Sequence, residues 1–504
     1  MRAPAGGVCV ATVFVAAMAA AASDVSIAVV NARVWTGDAR RPRAEAVAAS
    51  GDRIVAIGSN AEIRAFSAVP TRVVDGRGGM LTPGFIDSHI HLFVFDRSTP
   101  FPPIFMQFLR SRQEVADRIA AYTARLPKGA WILGDGWTDA LWGGQLPSRE
   151  WLDRLAPDHP VWLTNGDGDI GIANSAALRA AGIAAGGEAT AVIRGGPMWR
   201  IDAALIERTR ERDDHIVEEG IAKLIRAGVT SVHHNNSWQD FLILRRLRQA
   251  GRLRLRVYAS PPLPGWQRLR DYIAAYGRGD EWLHWGGVKG YGVITAGPYY
   301  RWVSGASLAG LQVMVHTGAN DELRTLLGVF ERVRRERNLR DPRFRVEHAH
   351  DMPADAIPRM AQVGTIASWQ PPLLSHEDRR TEAGQPAPMN LFPCRALLSA
   401  GVKIAFSTDS SPWISGVIAP LDAIEMALER AAPDGTRITL DEALRAFTLD
   451  AAYAEFSERE KGSLEVGKLA DFVLFDRDFS RGPAHGISAA KVRMTVIGGR
   501  VAYE

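Results

Sequence analysis

The chain has 504 residues, of which 46% are hydrophobic and 23% are charged, so it can bury a large globular core. Its 60 basic and 56 acidic residues leave a formal net charge of +4 with no run of like charge, which argues against nucleic-acid binding. The only two cysteines, Cys9 and Cys394, exclude a disulfide framework.

The N-terminal segment has the pattern of a secretory signal. Arg2 precedes an apolar run over 8–22 that ends in small residues, with an A-x-A cleavage pattern at 20–22. The run is shorter than the roughly 20 apolar residues that a membrane-spanning helix needs. We expect a signal peptide over 1–22 and a periplasmic or secreted mature protein, while a retained anchor stays open as the alternative.

Short strands dominate both ends of the mature sequence. The segments VSIAVVNARVWTG, AEAVAASGDRIVAIG and TRVVDGRGGMLTPG alternate apolar residues with glycine, asparagine and aspartate turn signals. The segments GSLEVGKLADFVLFDRD and KVRMTVIGGRVAYE, near the C-terminus, have the same character. Because two or three isolated strands are barely stable, we predict one β-sheet domain built from 23–80 and 460–504 together.

Between these ends, short apolar strands alternate with amphipathic helices, as in an α/β protein. Helical stretches such as 321–336 and 421–430 separate several strands, and eight strands with helical crossovers predict a (β/α)8 barrel of the TIM type over 81–459. The stretch 98–205 is too long for one barrel loop and carries strands of its own, so we predict an inserted α/β subdomain there. The predicted barrel strands are 81–86, 229–233, 255–259, 287–291, 312–316, 344–348, 365–370 and 403–407.

Polar residues stand where the predicted barrel strands end. His89 and His91 follow the apolar strand of LTPGFIDSHIH, and at this spacing on a strand both imidazoles lie on one face and can meet one cation. Barrel enzymes place their active sites at the C-terminal ends of the strands. Four more polar residues occupy such ends: Lys289, His316, His348 and Asp409.

These residue types indicate metal-assisted hydrolysis. Neutral imidazole and carboxylate suit Zn or a similar divalent cation, which activates water at neutral pH. Asp409 can accept a proton from that water and return it to a leaving nitrogen. Other interpretations stay open: His316 and His348 can be satisfied core histidines, Asp409 can be a helix N-cap, and Lys289 can be a solvated charge rather than a carbamate that bridges two cations.

The ordered set of motifs resembles the amidohydrolase superfamily, and within it the amidohydrolase-3 (YtcJ-like) branch, which includes N-substituted formamide deformylases. The similar segments are LTPGFIDSHIHL, GWTDALWGGQLPSREWLDRLAPDHPVWL, NSAALRAAGI, AGVTSVHHN, VMVHTGAND, RVEHAH, AFSTDSSP and GSLEVGKLADFVLFDRD. The resemblance implies a barrel with a β-sandwich from both termini. It also implies that Asp409 is both a metal ligand and the proton shuttle. The further metal ligands that it implies are His89, His91, Lys289, His316 and His348.

The chain departs from the usual pattern of this branch near the substrate. After Lys289 it reads KGYGVITAG and lacks the Asp-Gly that relatives have, and it has Asp169 where relatives have the histidine of Asp-Gly-His. It has His234 and Asn235 where relatives often have an aspartate after the second-strand histidine. A generic family substrate is therefore not assumed.

A further group of residues is predicted to bind substrate. Asp169 can select a cationic group or cap the helix that begins near Asn174, and the aromatic residues can line a pocket or simply pack. The predicted substrate-binding residues are Asp169, Trp137, Tyr299, Trp302, Trp369 and Trp413.

The sequence therefore predicts a metal-dependent hydrolase that cleaves a non-peptide C–N bond in an amide, N-acyl compound or cyclic amide. A lactone or ester hydrolase with the same metal centre, or a homologue that binds metal or ligand without turnover, stays open. The expected cofactor is a divalent metal, with zinc favoured, as one or two ions, and Lys289 carboxylated if it bridges them. The expected partner is a small molecule, with no nucleic acid and no membrane span after signal cleavage; a homodimer stays open.

Overall fold

A computed structural model of the chain describes most of the sequence from Val25 onward. The predicted signal peptide, 1–22, lies outside the described residues. Among the residues described, no helix has both the length and the apolar character that a membrane crossing requires. The described ranges are 25–66, 71–92, 104–106, 109, 111–137, 139–142, 146–165, 170–184, 191–207, 210–235, 237–291, 294–317, 320–348, 352–373, 393–412, 416–429 and 437–504.

Both termini contribute to a β-sandwich. Its six-stranded sheet has the order Arg500–Tyr503, Val492–Ile497, Phe472–Phe475, Met80–Pro83, Arg33–Trp35 and Arg43–Ala44. Its four-stranded sheet has the order Arg53–Gly58, Ala46–Ser50, Ile27–Val30 and Arg72–Asp75. Alternate residues of the two sheets, such as Val29, Val47, Leu81 and Leu474, form one buried cluster, as the period-two pattern of the strands requires. The helix Asn60–Phe66 covers the other face of the smaller sheet through Ile63.

Eight parallel strands form the barrel, in two arcs. The first arc is Phe85–Ile90, Val229–Asn235 and Arg256–Ser260, with Leu283–Trp285 at its edge. The second arc is Gly287–Gly290, Gln312–Thr317, Arg345–His348, Ile366–Trp369 and Ile404–Phe406. The helices that follow along the chain are Arg210–Arg226, Trp238–Gln249, Trp266–Tyr276, Ala296–Leu308, Asn320–Glu336, Ala356–Val363, Cys394–Ser399, Pro420–Glu429, Leu440–Ala446 and Leu449–Tyr453.

Main-chain hydrogen bonds connect the two arcs at both seams. At one seam, Lys289 N donates to Pro261 O at 2.9 Å. At the other, Asp409 N donates to His89 O at 3.0 Å and His91 N donates to Ser410 O at 3.0 Å. The second seam therefore links two strand ends that carry predicted ligands, and the predicted class of barrel plus sandwich is confirmed.

The first predicted barrel strand, 81–86, is wrong in its limits. Met80–Pro83 belongs to the sandwich, and the barrel strand is Phe85–Ile90. Gly84 lies between them because a β-carbon there would collide with the side chain of Thr230. The sequence hides this boundary because only Thr82, Pro83 and Gly84 separate the apolar residues of the two strands. The limits of the predicted domains stay a prediction.

The insertion has a five-stranded sheet of its own. The strand order is Val192–Arg194, Ile170–Ala173, Val161–Asn165, Ile132–Trp137 and Ile104–Phe105. Its helices are Arg112–Thr123, Arg149–Leu155, Ser175–Ala180 and Gly196–Glu207. The last of these helices carries Asp202, which forms a buried ion pair with Arg268 on a barrel helix. Because the Arg268 guanidinium also lies 4.0 Å from the Trp199 ring and 4.6 Å from the Trp238 ring, this cluster anchors the insertion to the barrel.

Replacing Arg268 with leucine is expected to lower the free energy of unfolding by about 3–5 kcal/mol, because Asp202 would keep a buried charge without its partner. Denaturant unfolding followed by tryptophan fluorescence measures the change. The matched control is Arg324→Leu, which removes an ion pair to Asp355 whose two side chains are 44% and 55% exposed. The control should leave the midpoint nearly unchanged, and equal midpoints for the two variants would contradict the anchoring role.

Candidate active site

Four predicted ligands converge at the C-terminal ends of the barrel strands. His91 Nε2 lies 3.3 Å from Asp409 Oδ1, and His89 Nε2 lies 3.6 Å from the same oxygen. His348 Nδ1 lies 3.9 Å from Asp409 Oδ2. His89 is fully buried, whereas the side chains of His91 and Asp409 each keep 25% of their exposure. The cluster is therefore buried on one side and accessible to a small molecule on the other.

The two remaining predicted ligands border this cluster. The His316 ring centroid lies 4.4 Å from that of His348, and Lys289 Nζ lies 3.5 Å from His89 Nε2. Burial lowers the pKa of Lys289 to about 8, and it also lowers the pKa of His316. The structure thus brings all six predicted metal-centre residues together, while the role of each stays a prediction.

Each of three histidines has its Nδ1 atom occupied by a hydrogen-bond acceptor. His89 Nδ1 donates to Glu347 Oε2 at 2.5 Å, His91 Nδ1 donates to the Asn235 main-chain oxygen at 3.1 Å, and His348 Nδ1 donates to Gln370 Oε1 at 2.9 Å. A neutral imidazole with its proton on Nδ1 has its Nε2 lone pair free for a metal. In His89 and His91 the nitrogen that faces Asp409 is Nε2, so these hydrogen bonds leave that atom free for coordination, whereas His348 faces Asp409 with Nδ1.

The donor set fits a divalent cation such as zinc. Ligand atoms of His89, His348 and Asp409 all lie within 4.8 Å of one another. Burial, together with the nearby Lys289, lowers the pKa of His89 well below its ordinary value, which keeps its imidazole neutral. Burial alone would raise the pKa of Asp409, but the neighbouring His89 and His91 hold it below its ordinary value, so it is a carboxylate. Neutral imidazoles and a carboxylate are the ligand forms that zinc takes.

Two ligands have unusual backbone conformations. His348 has φ of 74° and Asp409 has φ of 53°, in the left-handed region that residues other than glycine rarely adopt. Such a conformation costs on the order of 1–3 kcal/mol per residue and persists only where the surroundings impose it. Here the seam hydrogen bonds hold Asp409, and the strained backbone turns both side chains toward the cluster.

The structure also places residues at the site that were not predicted from the sequence. Buried Asp87 accepts hydrogen bonds from Thr408 N at 3.0 Å and from Thr408 Oγ1 at 2.5 Å, and so ties the first strand to the segment that carries Asp409. Glu347, also fully buried, contacts His89. The side chain of Asn235 is buried on the strand that also carries His233, and among the residues that the structure describes neither amide atom has a hydrogen-bond partner. The HxH spacing gives no signal for Glu347, since it lies on another strand.

The predicted aromatic substrate residues that the structure describes make packing contacts. Trp137 is buried in the core of the insertion and donates to Leu163 O at 3.0 Å. Tyr299 donates to the Tyr291 main-chain oxygen at 2.8 Å, and Trp302 packs on Tyr299 with ring centroids 5.3 Å apart.

Trp369 packs on Phe406 with ring centroids 5.1 Å apart. Asp169 and Trp413 lie outside the described residues. Substrate contact by these six residues stays a prediction.

Comparison with known proteins agrees with this geometry. The model of the family described as "Amidohydrolase family" matches residues 72–503. The chain is 30% identical to Protein LONG AFTER FAR-RED 3 of Arabidopsis thaliana, over 94% of this chain and 91% of that protein. It is 27% identical to N-substituted formamide deformylase of Arthrobacter pascens, over 94% of this chain and 98% of that protein.

A solved structure of a metal-dependent hydrolase from Pyrococcus furiosus has the same fold, with a TM-score of 0.60 at 23% identity, over 90% of this chain and 100% of that one. Because the family model spans most of the sequence and includes every predicted ligand, the chain belongs to the amidohydrolase family.

Proposed function

We propose that the protein is a metal-dependent hydrolase that cleaves a non-peptide C–N bond in an amide, N-acyl compound or cyclic amide. One observation carries the proposal: a carboxylate, Asp409, lies 3.3–3.9 Å from three imidazoles, and two of them, His89 and His91, face it with Nε2 while Nδ1 is already occupied. The Asp409 side chain is also 25% exposed, so water can reach it. A hydrolytic centre needs such a carboxylate to move a proton.

Asp409 would transfer the proton of the reaction. A bound divalent cation would lower the pKa of a water molecule and polarise the scissile carbonyl. The Asp409 carboxylate accepts one proton from the water while the water oxygen forms a bond to the carbonyl carbon. The C–N bond then breaks, and Asp409 returns the proton to the leaving nitrogen. The products are a carboxylic acid and an amine, so the atoms of one water are fully accounted for.

Two findings favour a nitrogen substrate over a lactone or ester. A relative that covers 94% of this chain is named for deformylation of N-substituted formamides. In addition, Asn235 offers an amide donor and an amide acceptor that are both buried and have no partner within the described part of the chain, and an amide substrate can pair with both. An ester has no N–H to donate to the Asn235 oxygen.

Hydrolysis by the purified protein is expected to stop after dialysis against a chelator and to return when zinc is added. The substrate panel pairs N-substituted formamides, N-acyl amines and cyclic amides with lactones and esters of matched size. Release of amine and acid is measured by chromatography. We expect turnover among the nitrogen substrates.

Each other outcome is informative. Faster turnover of lactones would identify the protein as a C–O hydrolase rather than a C–N hydrolase. Tight zinc binding without turnover of any class would favour a homologue that binds metal without catalysis. Activity that survives full metal removal would overturn the proposal altogether.

A further inference from the structure

A buried carboxylate lies directly behind a metal-ligand candidate. Glu347 Oε2 is 2.5 Å from His89 Nδ1, and both side chains are fully buried. The opposite ring nitrogen, His89 Nε2, faces Asp409. Glu347 therefore contacts the imidazole on the side away from the cation site.

A chain of buried side chains holds Glu347 in place. Arg345 Nε donates to Glu347 Oε1 at 2.8 Å, which leaves Oε2 for His89. Arg345 Nη2 donates to Ser88 O at 2.5 Å, and Arg345 Nη1 donates to His233 Nδ1 at 2.7 Å. Each of the three guanidinium nitrogens of Arg345 thus donates to a buried acceptor.

The chain continues toward the other end of the barrel. His233 Nε2 faces Glu455 Oε1 at 3.4 Å, and Lys461 Nζ lies 2.7 Å from the same oxygen. Lys461 also donates to Ser231 Oγ at 2.6 Å. These side chains are at most 8% exposed. Because each charge in this chain lies against an opposite charge or a hydrogen-bonding group, Glu347 cannot turn away without leaving a buried charge unpaired.

We propose that Glu347 is a positioning residue that keeps the proton of His89 on Nδ1 and thereby presents His89 Nε2 to the metal. The inference rests on the proposed metal-dependent function. It predicts that zinc binding needs a carboxylate at position 347, and that an amide of the same shape cannot replace it. Glu347 has two acceptor oxygens, one for Arg345 and one for His89.

Glutamine at this position creates a donor conflict. Its single oxygen would accept from Arg345, which can only donate, and its NH₂ group would then face His89 Nδ1. His89 would have to accept at Nδ1 and carry its proton on Nε2, where that proton blocks metal binding. The reverse orientation of the amide would place two donors, the NH₂ group and Arg345 Nε, against each other.

The test is zinc affinity, measured on Glu347→Gln by competition with a chelator of known affinity. We expect a loss of roughly 10- to 100-fold, as for other groups that orient metal ligands. The matched control is Glu331→Gln, which alters a carboxylate paired with Arg359 through contacts of 2.6 and 2.9 Å on the barrel exterior. The control should bind zinc like the unaltered protein. Unchanged affinity in a folded Glu347→Gln variant would overturn the proposal.

A second measurement uses the unaltered protein and is independent of folding in the variant. Nitrogen NMR of metal-free protein labelled at histidine, with His89 assigned from a His89→Gln spectrum, identifies its tautomer. A proton on Nδ1 is expected, and a proton on Nε2 would contradict the proposal. Both readouts are independent of turnover, so an inactive protein that behaves as expected here would refute the proposed reaction and leave the role of Glu347 intact.

Discussion

Replacing Asp409 with asparagine is expected to reduce kcat by at least about a hundredfold, because the amide has the same shape but cannot accept the proton of the attacking water. Three imidazoles remain in place, so the variant should retain most of its metal. Steady-state rates and metal content per chain, measured on the same preparation, test both parts. The large loss in kcat with metal retained is the signature of proton transfer rather than of coordination alone.

A matched control separates this effect from a general loss of charge. Asp355→Asn alters an exposed carboxylate that pairs with Arg324 outside the barrel centre, and it should leave both kcat and metal content unchanged. If Asp409→Asn turned over at the rate of the unaltered protein, proton transfer would have to be assigned to another group. If it lost its metal completely, Asp409 would be a ligand without a demonstrated role in proton transfer.

The positions of the candidate ligands are predictable because apolar strands end abruptly in polar residues. His89 and His91 obey the alternation of a strand, and the sequence spacing alone puts both imidazoles on one face. Seven predicted barrel strands match observed ones to within one or two residues at each end, since short apolar runs between helices leave little freedom. The first strand differs because its run continues from the sandwich through Gly84 into the barrel.

Glu347 is not predictable by the same reasoning. Strand alternation places Glu347 and His348 on opposite faces, so an inward His348 implies an outward Glu347. The φ of 74° at His348 breaks the alternation, and the side chains of both residues contact His89. A second limit concerns aromatic residues near strand ends, such as Trp137 and Trp369: their sequence position carries no sign of which surface they face, so substrate contact by them stays a prediction.

Replacing Lys289 with alanine tests whether the active site holds one metal ion or two. Lys289 Nζ is buried 3.5 Å from His89 Nε2, and burial lowers its pKa to about 8, so an appreciable fraction is the neutral amine at physiological pH. Only the neutral amine can react with carbon dioxide to form a carbamate. If that carbamate bridges two cations, alanine removes a ligand that both cations share, and the transition state loses several kcal/mol of stabilisation. We therefore expect the rate to fall by at least about a hundredfold.

Short carboxylic acids distinguish a carbamate from an ammonium. Formate, acetate or propionate can occupy the space that the alanine variant leaves and supply a bridging carboxylate, so partial recovery of rate is expected with rising acid concentration. The same acids should not restore Asp409→Asn, which keeps Lys289, and that variant is the control. Recovery must be accompanied by a second metal ion per chain. A folded Lys289→Ala variant that no acid restores would assign the lysine as an ammonium, whose role is to neutralise Glu347 and Asp409 beside it.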